Sequence, residues 1–215
     1  VQLKELSDAT GVSPPSIKFY LREGLVQRGD QVHATRAEYG PRHVERLELV
    51  TGLRTVAGLR IDQIRALVDL IDDPDVPRLE LLRRTHAMVL GAPSETVPDH
   101  PLVGELMAAR DWPDHPSDAR MLLNGTLREM EAMGLSVSAD VVLAYADAAD
   151  RVASQDLGAV FRAESRDRTV LAVAVGVRAY SKLLASLVAL AQASQSIRRL
   201  GGAEQVLNDD GAAWG

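Results

Sequence analysis

Apolar positions recur at helical spacing along almost the whole chain. Leu3, Leu6 and Ala9 mark a first short helix. Gly11 supplies a turn position free of Cβ strain. Ser13 is a good N-cap and Pro14 a good first helical residue, so a second helix is expected to start at Pro14 or Pro15. Ile17, Tyr20 and Leu21 give it an inner face, and Gly24 is its stop. Residues 25–40 alternate loosely around Gly29-Asp30 and read as a small hairpin or an extended loop. Pro41 opens a longer helix in which Val44, Leu47, Val50 and Leu53 are spaced by three, and Gly58 breaks it. Ile61, Ile64, Leu67, Val68 and Ile71 form the apolar side of the next helix, with Asp62 suiting the positive end of its dipole.

The stretch Asp72-Asp73-Pro74-Asp75-Val76-Pro77 is the clearest boundary, because two prolines in four residues stop helices. Beyond it helices are expected at 78–90, 101–110, 117–133, 138–155 and 168–200, punctuated by prolines and Gly134. No long alternating pattern appears. The fold class is therefore mainly all-α. The predicted organisation is a domain at 1–72, a linker at 73–77, an all-helical domain at 78–200 and a flexible tail at 201–215.

Composition narrows the choice. The chain has 215 residues, 46% hydrophobic and 25% charged, enough to bury a core. It has no cysteine, which excludes disulfide scaffolds, thiolate metal sites and cysteine nucleophiles, and suits a cytoplasmic location. Its opening residues lack an apolar leader core. Arg178 and Lys182 interrupt the most apolar stretch, so no membrane span is expected. The net charge of −6 argues against nucleic acid until it is divided along the chain. Residues 1–72 carry ten basic and ten acidic groups, so the whole excess of acid lies in 73–215. Phosphate binding depends on local charge, and six cations fall within residues 14–46 against four acids.

With Gly11 at the turn, the first two helices take the register of a helix-turn-helix. Leu6 and Val12 contact the core on either side of the turn, Ser7 is the small residue at the crossing, and Ile17 and Tyr20 anchor the second helix. Ser16, Lys18 and Arg22 then face outward, toward a major groove. On spacing alone a plain helical hairpin fits equally well. The run Gly11-Val12-Ser13-x-x-Ser16-Ile17-Lys18-Phe19-Tyr20, followed by Gly24-Leu25, strongly resembles the MerR family of transcription regulators. The similarity continues through the polar segment into His43-Val44-Glu45-Arg46-Leu47 and on to Val56-Ala57-Gly58-Leu59. It covers residues 1–72.

The resemblance implies a winged helix-turn-helix with a small β-wing. By position it implies Ser16 and Lys18 as contacts from the recognition helix, with Arg22 either on DNA or paired near Glu23. Arg28, Arg36, Tyr39 and Arg42 are the implied backbone contacts. Tyr20 reads better as a core anchor, and His33 as a solvated loop residue. Pro14-Pro15 occupies positions where the family often has a polar or basic residue. Lys18 stands for the commoner Arg and loses its bidentate geometry. Phe19 lacks a hydroxyl, and Leu21 replaces a common acid.

The resemblance also implies a homodimer that distorts double-stranded promoter DNA for RNA polymerase in response to a small-molecule effector. The prolines at 74 and 77 interrupt the usual pairing helix. Pairing is instead expected along 168–200, through Val170, Ala174, Val177, Leu184, Leu187, Leu190 and Ala191; a core helix of a monomeric bundle is the alternative. The helical second part looks, more loosely, like an actinobacterial-type subgroup of the family. Trp112, Tyr145, Phe161 and Tyr180 are the candidate effector-binding aromatics, although plain core packing is the commoner fate of such residues. His86, His100 and His115 are separated by Pro-rich turns, and His100 and His115 stand in an exposed-turn context, so no metal site is expected. No P-loop, G-x-S-x-G, H-E-x-x-H or G-x-G-x-x-G motif is present, so neither an enzyme nor a cofactor is expected. The competing reading is an interaction adaptor that kept the winged fold without binding DNA.

Overall fold

The structure is a computed structural model. It describes residues 1–33, 36–91, 98–113 and 116–211, with side chains described for 1–31, 37–91, 98–113, 116–155 and 162–200. Two compact units emerge, Val1–Arg178 and Ala179–Gly215.

In the first unit, α1 (Leu3–Thr10) and α2 (Pro14–Arg22) are joined by a turn in which Gly11 takes a left-handed conformation with φ 68°. Ser7 Oγ donates to Val12 O at 2.7 Å across that turn. Ser13 caps α2 by accepting from Ser16 N–H, and Pro14 stands at its first position. Strands β1 (Asp30–His33) and β2 (Arg36–Glu38) pair antiparallel, with Asp30 opposite Glu38 and an irregularity between Gln31 and His33. Gly29-Asp30 is therefore the entry to the wing, not its reversal. Gly29 is held there by crowding: a Cβ would sit 2.6 Å from Glu38 O and 3.0 Å from the Tyr39 ring.

Helices α3 (Pro41–Thr55) and α4 (Ile61–Asp72) complete the winged unit. Leu6, Ile17, Leu25, Leu47, Leu53, Ile64 and Leu67 are fully buried and form one core. Each buried aliphatic side chain contributes about 1.5–3 kcal/mol. Helices α5 (Arg78–Leu90), α6 (Pro101–Arg110), α7 (Asp118–Ala132) and α8 (Ala139–Phe161) follow.

The return of α9 (Arg166–Val175) onto the winged unit was not evident in the sequence. Val170 and Ala174 join the same core as Leu47 and Leu53. They were expected on a dimer-pairing face; packing against α3 and α5 takes them instead. Gly52 permits the close approach, since a Cβ there would meet Leu171 Cδ1.

The first turn of α9 is tied to the winged unit by four consecutive residues. Ser165 Oγ donates to Glu45 at 2.5 Å. Arg166 donates to the main-chain carbonyls of Leu70 and Ile71, which the end of α4 leaves without helical partners, and to those of Asp73 and Val76 just beyond it. Asp167 accepts from Arg46 Nε at 2.9 Å, and Arg168 lies 3.0 Å from Glu45. Arg46 also reaches Asp72. Burial opposes the charge on Arg46, but its bonds to Asp72 and Asp167 outweigh that, and its pKa is raised.

His100 departs from its expected exposed turn. It is only 4% exposed. Its Nδ1 accepts from Leu102 N–H at the start of α6, its own N–H donates to Asn124, and its Nε2 lies 3.0 Å from Glu131. The sequence shows Asp and Pro beside it, but not Asn124 arriving from α7.

The second unit contains α10 (Ser181–Gly211), after a π-helical turn at Gly176–Tyr180. A single helical register therefore does not run through 168–200. Leu183, Leu187, Leu190 and Ile197 are 52%, 53%, 64% and 70% exposed. By length and composition the stretch Arg166–Leu200 could cross a bilayer. Its first turns are protein core, however, and Arg178 and Lys182 interrupt it.

Candidate nucleic-acid interface

The α2 helix separates two chemistries. Ile17 and Tyr20 are buried beneath it, while Lys18 and Arg22 are exposed and Ser16 is half-buried. The Ser16 hydroxyl shares a 2.8 Å hydrogen bond with Ser13 Oγ, so the first turn of the helix is preorganised. Arg22 lies over the Phe19 ring at 5.5 Å and 3.8 Å from Glu23, with its side chain 72% exposed.

Glu23 is held more closely by Arg65, at 2.7 Å, with Arg65 Nε also donating to Glu23 O. This bond ties the end of α2 to α4. Sequence reasoning missed Arg65, because 42 residues separate it from its partner. The only available signal was the acid at the end of α2.

Arg28 precedes the wing and Arg42 begins α3, and both are exposed. Arg36 opens β2, but its side chain lies outside the described residues, as does that of His33. Tyr39 is only 9% exposed; its ring packs edge-on against His43 and faces Gly29. Its place is at the base of the wing, where it supports the loop. His43 Nδ1 accepts from Gly40 N–H at 2.9 Å and so closes the start of α3.

Of the candidate effector aromatics, the side chains of Trp112, Tyr145 and Tyr180 are described. Trp112 is half-buried and donates to Asp150 at 3.2 Å. Tyr145 is 59% exposed, and Tyr180, in the second unit, is 42% exposed. The Phe161 side chain lies outside the described residues. Among the described residues, no cluster of three or more His, Asp or Glu could hold a metal; His115 is outside them.

The helix–turn–helix, the two-stranded wing and the two helices after it define a winged helix-turn-helix. Residues 1–70 match the model of the MerR HTH family regulatory protein, and this part of the chain is a MerR-type domain. Among solved structures, the chain is similar to the "putative transcriptional regulator SCO5550" of Streptomyces coelicolor A3(2). The TM-score is 0.67 at 26% identity, over 93% of this chain and 97% of that one. A search of curated proteins finds no match.

Proposed function

We propose that the chain is a cytoplasmic transcriptional regulator that binds double-stranded promoter DNA as a homodimer. The observation that carries this reading is the two-sided α2 helix, with Ser16, Lys18 and Arg22 facing outward above a buried anchor of Ile17 and Tyr20. Arg28, Arg36 and Arg42 supply phosphate contacts from the wing and from the start of α3. Such contacts position the helix, and base contacts specify the sequence. Tyr39 acts by holding the base of the wing.

A dimer reads two half-sites, and α10 offers a surface for pairing. Leu183, Leu187, Leu190, Ser194 and Ile197 follow the alternating four-and-three spacing of a coiled-coil seam. On this reading the dimer distorts a promoter for RNA polymerase, and an effector changes that distortion. The predicted organisation, with DNA reading in 1–72 and effector response or dimerisation in 78–200, stands as part of this proposal.

The test is footprinting on the DNA upstream of the chain's own gene, with and without cell extract. Paired half-sites of protection are expected. Lys18→Gln should weaken binding and lower the slope of log affinity against log salt by about one unit. An unchanged slope would remove Lys18 from the interface. No protection at any salt concentration would favour the adaptor reading.

A further inference from the structure

A half-open cleft of about 760 Å³ lies within the first unit, between the base of the wing, the start of α3, the end of α4 and the start of α9. Its size falls within the range of about 300–1,000 Å³ typical of small-molecule sites. Val26, Ile71 and Pro74 give it an apolar wall. Arg28, Arg42, Arg46 and Arg166 line it together with Asp30, Glu45, Asp72 and Asp167. The formal charges balance, but they are unequally engaged.

Asp72 and Asp167 are held by Arg46, and Glu45 by Ser165 and Arg168. Arg166 is spent on neutral carbonyls, so its charge meets no acid there. Arg28 and Arg42 have no side-chain partner among the described residues, and of the four acids only Asp30 is equally unengaged. The cleft therefore combines an apolar wall with two guanidinium groups, Arg28 and Arg42, that no side chain engages among the described residues. Guanidinium groups suit carboxylate and phosphate, which they bind through paired hydrogen bonds.

We propose that this cleft binds a small organic anion, with its carboxylate or phosphate group on Arg28 and Arg42 and its apolar part against Val26, Ile71 and Pro74. One wall carries the residues that tie α9 to the winged unit, and the other carries two of the proposed phosphate contacts to DNA. A bound anion competes with the DNA backbone for those two guanidinium groups and lowers operator affinity. This competition rests on the proposed DNA reading; binding in the cleft does not.

The test compares thermal unfolding of the full chain in sodium phosphate, sodium citrate and sodium chloride at equal ionic strength. At about tenfold excess over Kd, a specific anion raises the melting temperature by about 3–6 °C. Both anions also stabilise folded proteins by exclusion from their surfaces, so the difference between variants is the quantity to read. The shift should fall to that background in the Arg28→Gln/Arg42→Gln variant. It should persist in Arg151→Gln, an exposed arginine on α8. Arg28 and Arg42 are both exposed, and circular dichroism of the double variant checks its fold. Calorimetric titration of the folded proteins gives an independent reading. Equal shifts in wild type and double variant, or equal losses in the double variant and Arg151→Gln, would overturn the site. Phosphate acting without citrate, or the reverse, identifies the group that is bound. Mobility shifts with operator DNA are measured separately. Anion binding without DNA binding would defeat the proposed function and leave the cleft assignment standing.

Discussion

Helices α9 and α10 come from one apolar stretch of sequence, yet on α9 Val170 and Ala174 are buried, while Leu183, Leu187, Leu190 and Leu200 of α10 stand more than half exposed. The difference lies in what each helix meets. α9 has a facing groove on α3, opened by Gly52, and a polar anchor in Ser165, Arg166, Asp167 and Arg168. Among the described residues of the second unit α10 meets no second layer, and a lone helix cannot cover its own apolar stripe. Equal hydrophobicity therefore produces core in one case and an unpaired surface in the other.

The sharpest way to break this contrast is to place a charge on each helix. Val170→Asp buries a carboxylate without a partner and should cost about 4 kcal/mol, or ~10 °C in melting temperature. A near-normal melting curve would mean that α9 is not core. Leu187→Asp/Leu190→Asp should leave the unfolding of the first unit unchanged and convert the proposed dimer to monomer in light scattering. Each leucine contributes about 1.5–3 kcal/mol when covered, so the dimer constant should weaken ~100-fold or more. A dimer that survives this change pairs elsewhere.

The smallest effect concerns His86 on α5. Burial lowers its pKa, with Asp118 opposing only in part. A depressed folded pKa makes the neutral form the favoured one in the native state. The stability it provides is complete above the unfolded value of about 6.5 and is lost as pH falls through the lower folded value. His86→Gln should flatten the slope of stability against pH below about pH 6.5. An unchanged slope would assign that dependence to other groups.

The elements were legible because they depend on neighbours in sequence. The starts of α2 at Pro14 and α3 at Pro41, the left-handed Gly11 and the limits of α5 and α6 all follow from local rules of capping and periodicity. Lys18 and Arg42 were readable as exposed cations for the same reason. Tyr39 was not readable as the support of the wing, because Gly29 and His43 surround it only in the folded chain. The partners of His100 and Glu23, Asn124 and Arg65, were each contributed by another helix.

The amino-acid sequence by itself determined the helical class, the winged motif in the first third and the neutral charge of that third. Each depends on residue types at fixed short spacing. Only the tertiary structure decided which apolar helix becomes core and where α9 docks. It also decided which arginines keep their charge unanswered around one cleft. Those outcomes depend on groups far apart in sequence whose hydrogen bonds and packing exist only once the chain has folded.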